Sequence, residues 1–455
     1  MINYDLAIIG SGPGGYVAAI YASRHKLHTC VIEKALVGGT CLNRGCIPTK
    51  SFINSASIIL TIKESHLYGV EVSGYKTDFD KMRARKDEVV LRLRTGIETL
   101  LRANSIDLIR GRAVIEGPNA IKVNNADTIT AKNIIIACGS KPAGLHNINF
   151  DETDILSSDG ILNLKAVPKS LTIIGGGVIG CEFASLFNIL GSKVTLIEYT
   201  DRLIPMQSRE ASKKLEMAFR KRGIDVLTSS GAESVMKTGS LKISVSGGRA
   251  IESEKVLVSV GRNSDTEGLG DMKALGLETE KGKIAVDENL RTGVKNIYAI
   301  GDCVSGPLLA HKASYDGIIA VDNILGNARR KDYSNIPNTI WTEPEIASVG
   351  LSEEDARAKY KDIRISKFSY LGSGKACIMG KSDGFAKVIG DAEGNIVGVE
   401  VFGALACELI AEATLAKAAG LNIEEWARVV HAHPTLSEIW QEVAHAFRGS
   451  AIHGL

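Results

Sequence analysis

No apolar run in this sequence approaches the length of a membrane span; the longest, such as Ile134–Cys138, extend over a few residues. Charge of one sign is missing as well. The 54 Lys plus Arg are balanced by 52 Asp plus Glu, which removes the electrostatic reason to expect nucleic acid or an anionic membrane as a partner. Signal-peptide and transit-sequence features are absent from the N-terminus, where Met1-Ile2-Asn3-Tyr4-Asp5 leads directly into a strand-like segment, so the expected location is the cytoplasm. Eight cysteines, spread from Cys30 to Cys407, are too sparse over 455 residues for a secreted disulfide framework. No two Cys/His pairs share zinc-ligand spacing, and no metal is expected.

What is present suits a globular chain of several domains. Hydrophobic residues make up 44% and charged residues 23%, an ordinary globular balance. A length of 455 residues exceeds what one core organises and predicts roughly two to four domains. Glycine is abundant, at 47, and much of it falls in two matching places. Leu6-Ala7-Ile8-Ile9-Gly10 reappears as Leu171-Thr172-Ile173-Ile174-Gly175. Each run reads as a strand buried on both faces. Each opens into G-x-G-x-x-G, formed by Gly10, Gly12 and Gly15 and again by Gly175, Gly177 and Gly180. A helical pattern follows, then a second strand ending in an acidic residue, Glu33 or Glu198, at the same interval from the first glycine.

This unit is built for a dinucleotide. The first glycine permits a tight turn, the second lets backbone approach a pyrophosphate, and the third lets helix pack on strand. The helix N-terminus then offers free N–H groups and the positive end of its dipole. Glu33 and Glu198 are placed to accept hydrogen bonds from a ribose. A carboxylate at 198 repels a 2′-phosphate, which favours NAD over NADP, with Arg202 four residues on as the countervailing charge.

Between these units lies Gly38-Gly39-Thr40-Cys41-Leu42-Asn43-Arg44-Gly45-Cys46-Ile47-Pro48-Thr49-Lys50, followed by a helical pattern from Ser51 to Ile62. Two incidental thiols or half of a zinc site are the plainer alternatives. Against them, thiols at the mouth of a helix, with Arg44 and Lys50 near, are well placed to hold a thiolate, the species that attacks disulfides.

The stretch G-G-T-C-x-N-x-G-C-x-P-x-K resembles the redox-active disulfide of the pyridine nucleotide–disulfide oxidoreductases, and the resemblance extends over the whole chain. It implies that Cys41 and Cys46 form that disulfide, that the first unit binds FAD and the second NAD, and that Gly301-Asp302 makes a second FAD contact. It further implies FAD contacts at Gly14, at Lys34, at Gly39-Thr40 and at Gly139-Ser140, with Gly261-Arg262 among the cofactor-binding positions. Lys50 and Glu182 match an ion pair beside the flavin. Leu309-Ala310-His311-Lys312-Ala313 resembles the dihydrolipoyl dehydrogenase branch. His431-Ala432-His433-Pro434-Thr435-Leu436-Ser437-Glu438 resembles the motif of the family's catalytic base, with His433 as base and Glu438 as its orienting carboxylate. A His before Pro is extended, and Pro434 is placed to begin a helix running through Ala446. Cys138 stands where Thr is usual.

The fold expected is α/β: two Rossmann-like dinucleotide-binding domains plus an α+β C-terminal dimerisation domain. Boundaries are placed at 1–143 for FAD, 144–265 for NAD, 266–334 for a segment completing the FAD side, and 335–455 for the interface domain. Turn composition at Ser140-Lys141-Pro142 and Gly261-Arg262-Asn263 marks two of the breaks. Residues 79–104 read as a long helix with Met82, Val89, Val90, Leu93, Ile97, Leu100 and Leu101 on one face and a solvated row of arginines on another. The activity implied is oxidation of carrier-bound dihydrolipoamide with NAD, in a homodimer serving a 2-oxo acid dehydrogenase or glycine cleavage complex. NADPH-dependent reduction of another disulfide is the nearest rival, although such relatives usually carry basic residues where Glu198 stands. A non-catalytic flavoprotein acting as a redox sensor or assembly partner is the other.

Overall fold

The structure is a computed structural model describing residues 3–124 and 127–453. Met1 and Ile2, read as the lead-in to the first strand, lie outside the described residues, and that strand is Asn3–Ile9. It is the centre of a seven-stranded sheet, flanked in parallel by Thr29–Glu33 and Asp127–Ile136. The second unit repeats the arrangement around Ser170–Ile174, flanked in parallel by Lys193–Ile197 and Lys255–Val258. The likeness extends to single hydrogen bonds. Gly10 N–H donates to the Ile32 carbonyl and Gly175 N–H to the Ile197 carbonyl, both at 2.8 Å. The expected pair of Rossmann-like domains is present.

The first sheet is completed late in the sequence. Ile297–Ala299 pairs in parallel with Ile134–Ile136, and the helix Ala310–Ile324 then packs across the helix Pro13–Arg24. They cross backbone to backbone. A Cβ on Gly317 would stand 2.7 Å from the Gly14 carbonyl oxygen, so only glycine allows this approach. The crossing brings Gly301-Asp302 and Leu309–His311 beside the first glycine loop.

Residues 338–403 form a five-stranded antiparallel sheet in the order Asn338–Ile340, Glu345–Gly350, Ile396–Gly403, Phe385–Asp391, Ile363–Ser369. Helices Ala406–Ala418 and Glu438–Phe447 cover it through a core that includes Trp426 and Trp440, giving the α+β third domain. Among the described residues no helix is long and apolar enough to cross a membrane.

Three local expectations change. Ser140–Pro142 and Arg262–Ser264 are not turns but an antiparallel ribbon tying the two ends of the second domain together. The helix expected from Ser51 begins at Cys46 and runs to Glu64. Pro48 sits in its first turn, where no intrahelical N–H is needed, so the proline does not delay the start. The helix Phe79–Ala103 forms, but its apolar stripe is only partly covered: Val90 and Leu101 are buried, whereas Leu93 and Leu100 are exposed.

Candidate active site

The helix start at Cys46 decides the local chemistry. Gly45 caps the helix, Cys46 is its first residue, and its thiol lies at the positive end of the dipole. Cys41, in the short helix Gly39–Arg44, hydrogen-bonds to it. Asn43 braces the loop by donating to the Val37 and Gly39 carbonyls, both at 2.9 Å. The two thiols share one proton unequally. The hydrogen bond from Cys41 lowers the Cys46 thiol to about 7 against the opposing effect of burial, with the Lys50 ammonium helping. Cys41 is pushed up correspondingly. Iodoacetamide labelling of Cys46 in the reduced protein is therefore expected to accelerate as pH rises, with a midpoint at about 7. A midpoint at the ordinary thiol value, read from peptide mass, would refute that asymmetry.

Lys50, one turn along the same helix, reaches across the domain boundary. Its Nζ lies 2.7 and 2.6 Å from the two carboxylate oxygens of Glu182, which is buried on the helix Val178–Leu190 and also accepts from Trp341 N–H. The pair thus joins the cysteine helix to the second domain.

A cavity of about 690 Å³ opens in front of these groups. Its walls are the first glycine loop, the cysteine loop, Gly139-Ser140, Gly301-Asp302 and the start of the helix at Ala310. Gly15 and Gly180 lie behind the walls: a Cβ on either would come within 1.9 Å of the carbonyl oxygen of Gly10 or Gly175. A Cβ on Gly12 would instead meet only the Gly39 Cα, at 4.0 Å, and one on Gly177 nothing within 4 Å, the room that a pyrophosphate requires. Glu33 borders the cavity, accepting from Ser11 N–H (2.9 Å), Ser11 hydroxyl (2.6 Å) and Ala35 N–H (2.7 Å). Glu198 mirrors it, holding Gly176 N–H at 2.6 Å and Thr200 N–H at 2.7 Å. Arg202 is turned to its own loop, donating to the Pro205 carbonyl at 3.1 Å. Lys34 is tied to Asp265 at 2.7 Å, and Thr40 and His311 also line the cavity. Gly261 does not line it, although Arg262 does, donating to the Ser140 hydroxyl and carbonyl at 2.8 Å each.

His433 and Glu438 stand apart from this cavity, in the third domain. His433 Nδ1–H donates to Glu438 at 2.8 Å, and the imidazole is 78% exposed. The helix expected from Pro434 begins only at Glu438. Thr435 N–H instead donates to the second Glu438 oxygen at 2.8 Å, a side-chain bond that replaces the helical one. His431 has a structural place: its imidazole is buried and its Nε2 lies 2.8 Å from Glu412.

Two glycine loops, a thiol pair at a helix start and a separate His–Glu dyad recur in known proteins. Residues 4–317 match the pyridine nucleotide-disulphide oxidoreductase family, and residues 336–444 match its dimerisation domain. The chain belongs to the pyridine nucleotide-disulphide oxidoreductase family. It is 43% identical to a dihydrolipoyl dehydrogenase of Chlamydia pneumoniae, over 97% of this chain and 96% of that one. Identity to a dihydrolipoyl dehydrogenase of Bacillus subtilis is 40%, over 99% of each chain. LpdA of Mycobacterium tuberculosis superposes with a TM-score of 0.90 at 27% identity, covering 98% of this chain and 99% of that one.

Oxidoreductases of this family use FAD and NAD. The cavity suits FAD: its wall is open at Gly12, and it carries the buried Ser158 hydroxyl, which has no protein partner among the described residues. Ser158, Arg112, Ile179 and Asp265 are cavity-lining residues missed in the sequence. Ile179 was recoverable from its place two residues after Gly177; nothing in the sequence around Ser158 signals a wall position.

Asp302 owes its position to a device behind the cavity. Lys312 and Asp316 form a fully buried ion pair at 2.7 Å. Lys312 donates to the Gly301 carbonyl and Asp316 accepts from the Gly301 N–H, both at 3.0 Å, so both faces of one residue are clamped. Lys312→Met leaves Asp316 as an unpaired buried charge and is expected to destabilise the fold by about 3–5 kcal/mol. Urea unfolding of the flavin-loaded protein checks this; a loss below about 1 kcal/mol would show that the clamp contributes little.

Proposed function

We propose that this oxidoreductase is a dihydrolipoyl dehydrogenase, which oxidises a carrier-bound dihydrolipoyl group and reduces NAD to NADH. The observation that carries the reading is the thiol pair at the start of the helix Cys46–Glu64, within a chain about 40% identical over its length to dihydrolipoyl dehydrogenases. Its substrate is presented by a lipoyl-bearing domain of a 2-oxo acid dehydrogenase or glycine cleavage complex.

Each protein group has one task. His433 removes a proton from a substrate thiol through Nε2, while Glu438, on Nδ1–H, fixes the tautomer and stabilises the imidazolium. The substrate thiolate attacks Cys41 in the disulfide and expels Cys46 as a thiolate. The helix dipole and Lys50 stabilise that thiolate. The second substrate thiol then attacks the mixed disulfide, closing the lipoyl ring and leaving Cys41 reduced. When bound, FAD would be held by the first glycine loop, Glu33 and Asp302, and would supply the two-electron route from the cysteines to NAD. Glu182 neutralises Lys50 where the two domains meet. The second glycine loop and Glu198 hold NAD.

His433 does not line the cavity that Cys41 lines. A homodimer, with His433 of one protomer completing the thiol site of its partner, makes one working centre from the two halves.

Anaerobic mixing with dihydrolipoamide and NAD tests this. The expected result is rapid NADH formation at 340 nm, a wavelength set by the reduced nicotinamide (about 340 nm). No NADH, together with oxidation of NADPH by a different disulfide, would transfer the activity to a reductase.

A further inference from the structure

The His433–Glu438 dyad stands on a loop, residues 427–437, between the helices Ile423–Trp426 and Glu438–Phe447. The bonds within it are short in sequence. His433 Nδ1–H and Thr435 N–H both donate to Glu438, and the Thr435 hydroxyl donates to the Ala432 carbonyl at 2.7 Å. Such bonds shape a loop without fixing where it sits on its domain. Apolar burial holds only the two ends, at Ala427 and Leu436, while Val429 and Val430 are exposed in the protomer. Between them one side chain turns inward. The His431 imidazole is 5% exposed, and its Nε2–H donates to Glu412 Oε1 at 2.8 Å. Among the described residues this is the one hydrogen bond from residues 430–437 to an element outside the loop and the helix that follows it. Glu412 is a firm post. It lies on the helix Ala406–Ala418, and the same oxygen accepts from Trp426 Nε1–H at 2.8 Å. Trp426 is buried in the core of the third domain and stacks on Trp440, with ring centroids 5.1 Å apart.

We propose that His431 is a positioning residue for the reaction: through Glu412 it fixes the loop so that the exposed His433 imidazole stands where a substrate thiol meets it. This rests on the reading of His433 as the base. His431 itself touches no substrate and moves no proton. Its leverage comes from proximity, since His433 is two residues further on and two residues of chain reach at most about 7 Å. An anchored imidazole thus limits the excursion of an unanchored one. A base acts only within hydrogen-bond reach of the proton it removes, so a small excursion is enough to take it out of range.

The test compares His431→Ala with His431→Gln in the flavin-loaded protein. Alanine removes the tie but leaves Glu412 paired with Trp426, so the carboxylate is not orphaned. Glutamine keeps an amide N–H that can replace Nε2–H. Deuterium exchange of the peptide spanning 427–437 reads the anchor itself: it should be about tenfold faster in His431→Ala and like the parent in His431→Gln. Dihydrolipoamide oxidation reads the consequence. His431→Ala should lose about a hundredfold in kcat, the cost of a displacement of about 1 Å. His431→Gln should stay within about threefold of the parent. NADH-dependent reduction of an artificial acceptor that bypasses the thiols should be unchanged in both. Parent-like exchange in His431→Ala, full turnover despite fast exchange, or a glutamine variant as impaired as the alanine one would each overturn the proposal. So would a parallel loss of acceptor reduction. If His431→Ala does not fold, His431→Phe, which fills the space without an N–H, takes its place. A parent chain that fails to oxidise dihydrolipoamide would instead sink His433 as base, and the exchange comparison would still decide whether His431 anchors the loop.

Discussion

Serine in place of Cys41 is expected to lower dihydrolipoamide turnover by about a thousandfold or more, with the flavin still bound. The size of the effect follows from the chemistry. A serine oxygen cannot form the disulfide that accepts the electron pair, so the route is cut rather than slowed. The flavin survives because the pocket has supports other than the Cys41 thiol: Asn43 braces the loop through Val37 and Gly39, and the pocket is held by Glu33 and by the clamp on Gly301. Steady-state NADH formation and the flavin-to-protein absorbance ratio, read on one sample, separate the two. Turnover within about tenfold of the parent chain would remove Cys41 from the reaction.

His433→Ala is expected to cost about 10²–10⁴ in turnover, the range for losing a positioned general base. The cost should fall most heavily on dihydrolipoamide oxidation. NADH-dependent reduction of an artificial electron acceptor that bypasses the thiols should continue. Because the dyad lies outside the Cys41 cavity of its own chain, a mixture tells more than either variant. Dissociating and reassociating Cys41→Ser with His433→Ala chains yields mixed dimers in which one of the two centres has both intact halves. Random pairing of a two-fold dimer then restores about a quarter of the parent activity. Mixed dimers with no activity would place base and thiol in the same chain.

The parts of the molecule legible in sequence were those fixed by local necessity. The glycine loops announce themselves because Gly15 and Gly180 must lie against a carbonyl only a turn away in sequence. The thiol loop is equally local. What was missed depends on distant partners. Ser140–Pro142 looks like a turn until Arg262–Ser264, more than a hundred residues on, supplies its ladder. The place of Gly301-Asp302 in the cavity wall follows from a late strand joining an early one, which no sequence window contains. Pro48 and Pro434 misled in opposite directions. The first sits harmlessly inside a helix start, whereas the second precedes a turn in which Thr435 N–H donates to the Glu438 carboxylate and the Thr435 hydroxyl donates to the Ala432 carbonyl.

The late strand Ile297–Ala299 also has a consequence for the order in which the protein is made. The second nucleotide-binding sheet has all its strands once Val258 has been synthesised. The first, begun at Asn3, still lacks an edge strand and the helix Ala310–Ile324 that covers Gly14. Domains fold as units during synthesis, at roughly 5–20 residues per second. The domain started first is therefore finished second, and its cavity wall, which needs Gly301-Asp302, is assembled only after the second glycine-loop unit inside it has had time to fold. A nascent chain stalled near residue 290 should protect the inner unit from protease while leaving the helix Pro13–Arg24 open to cleavage.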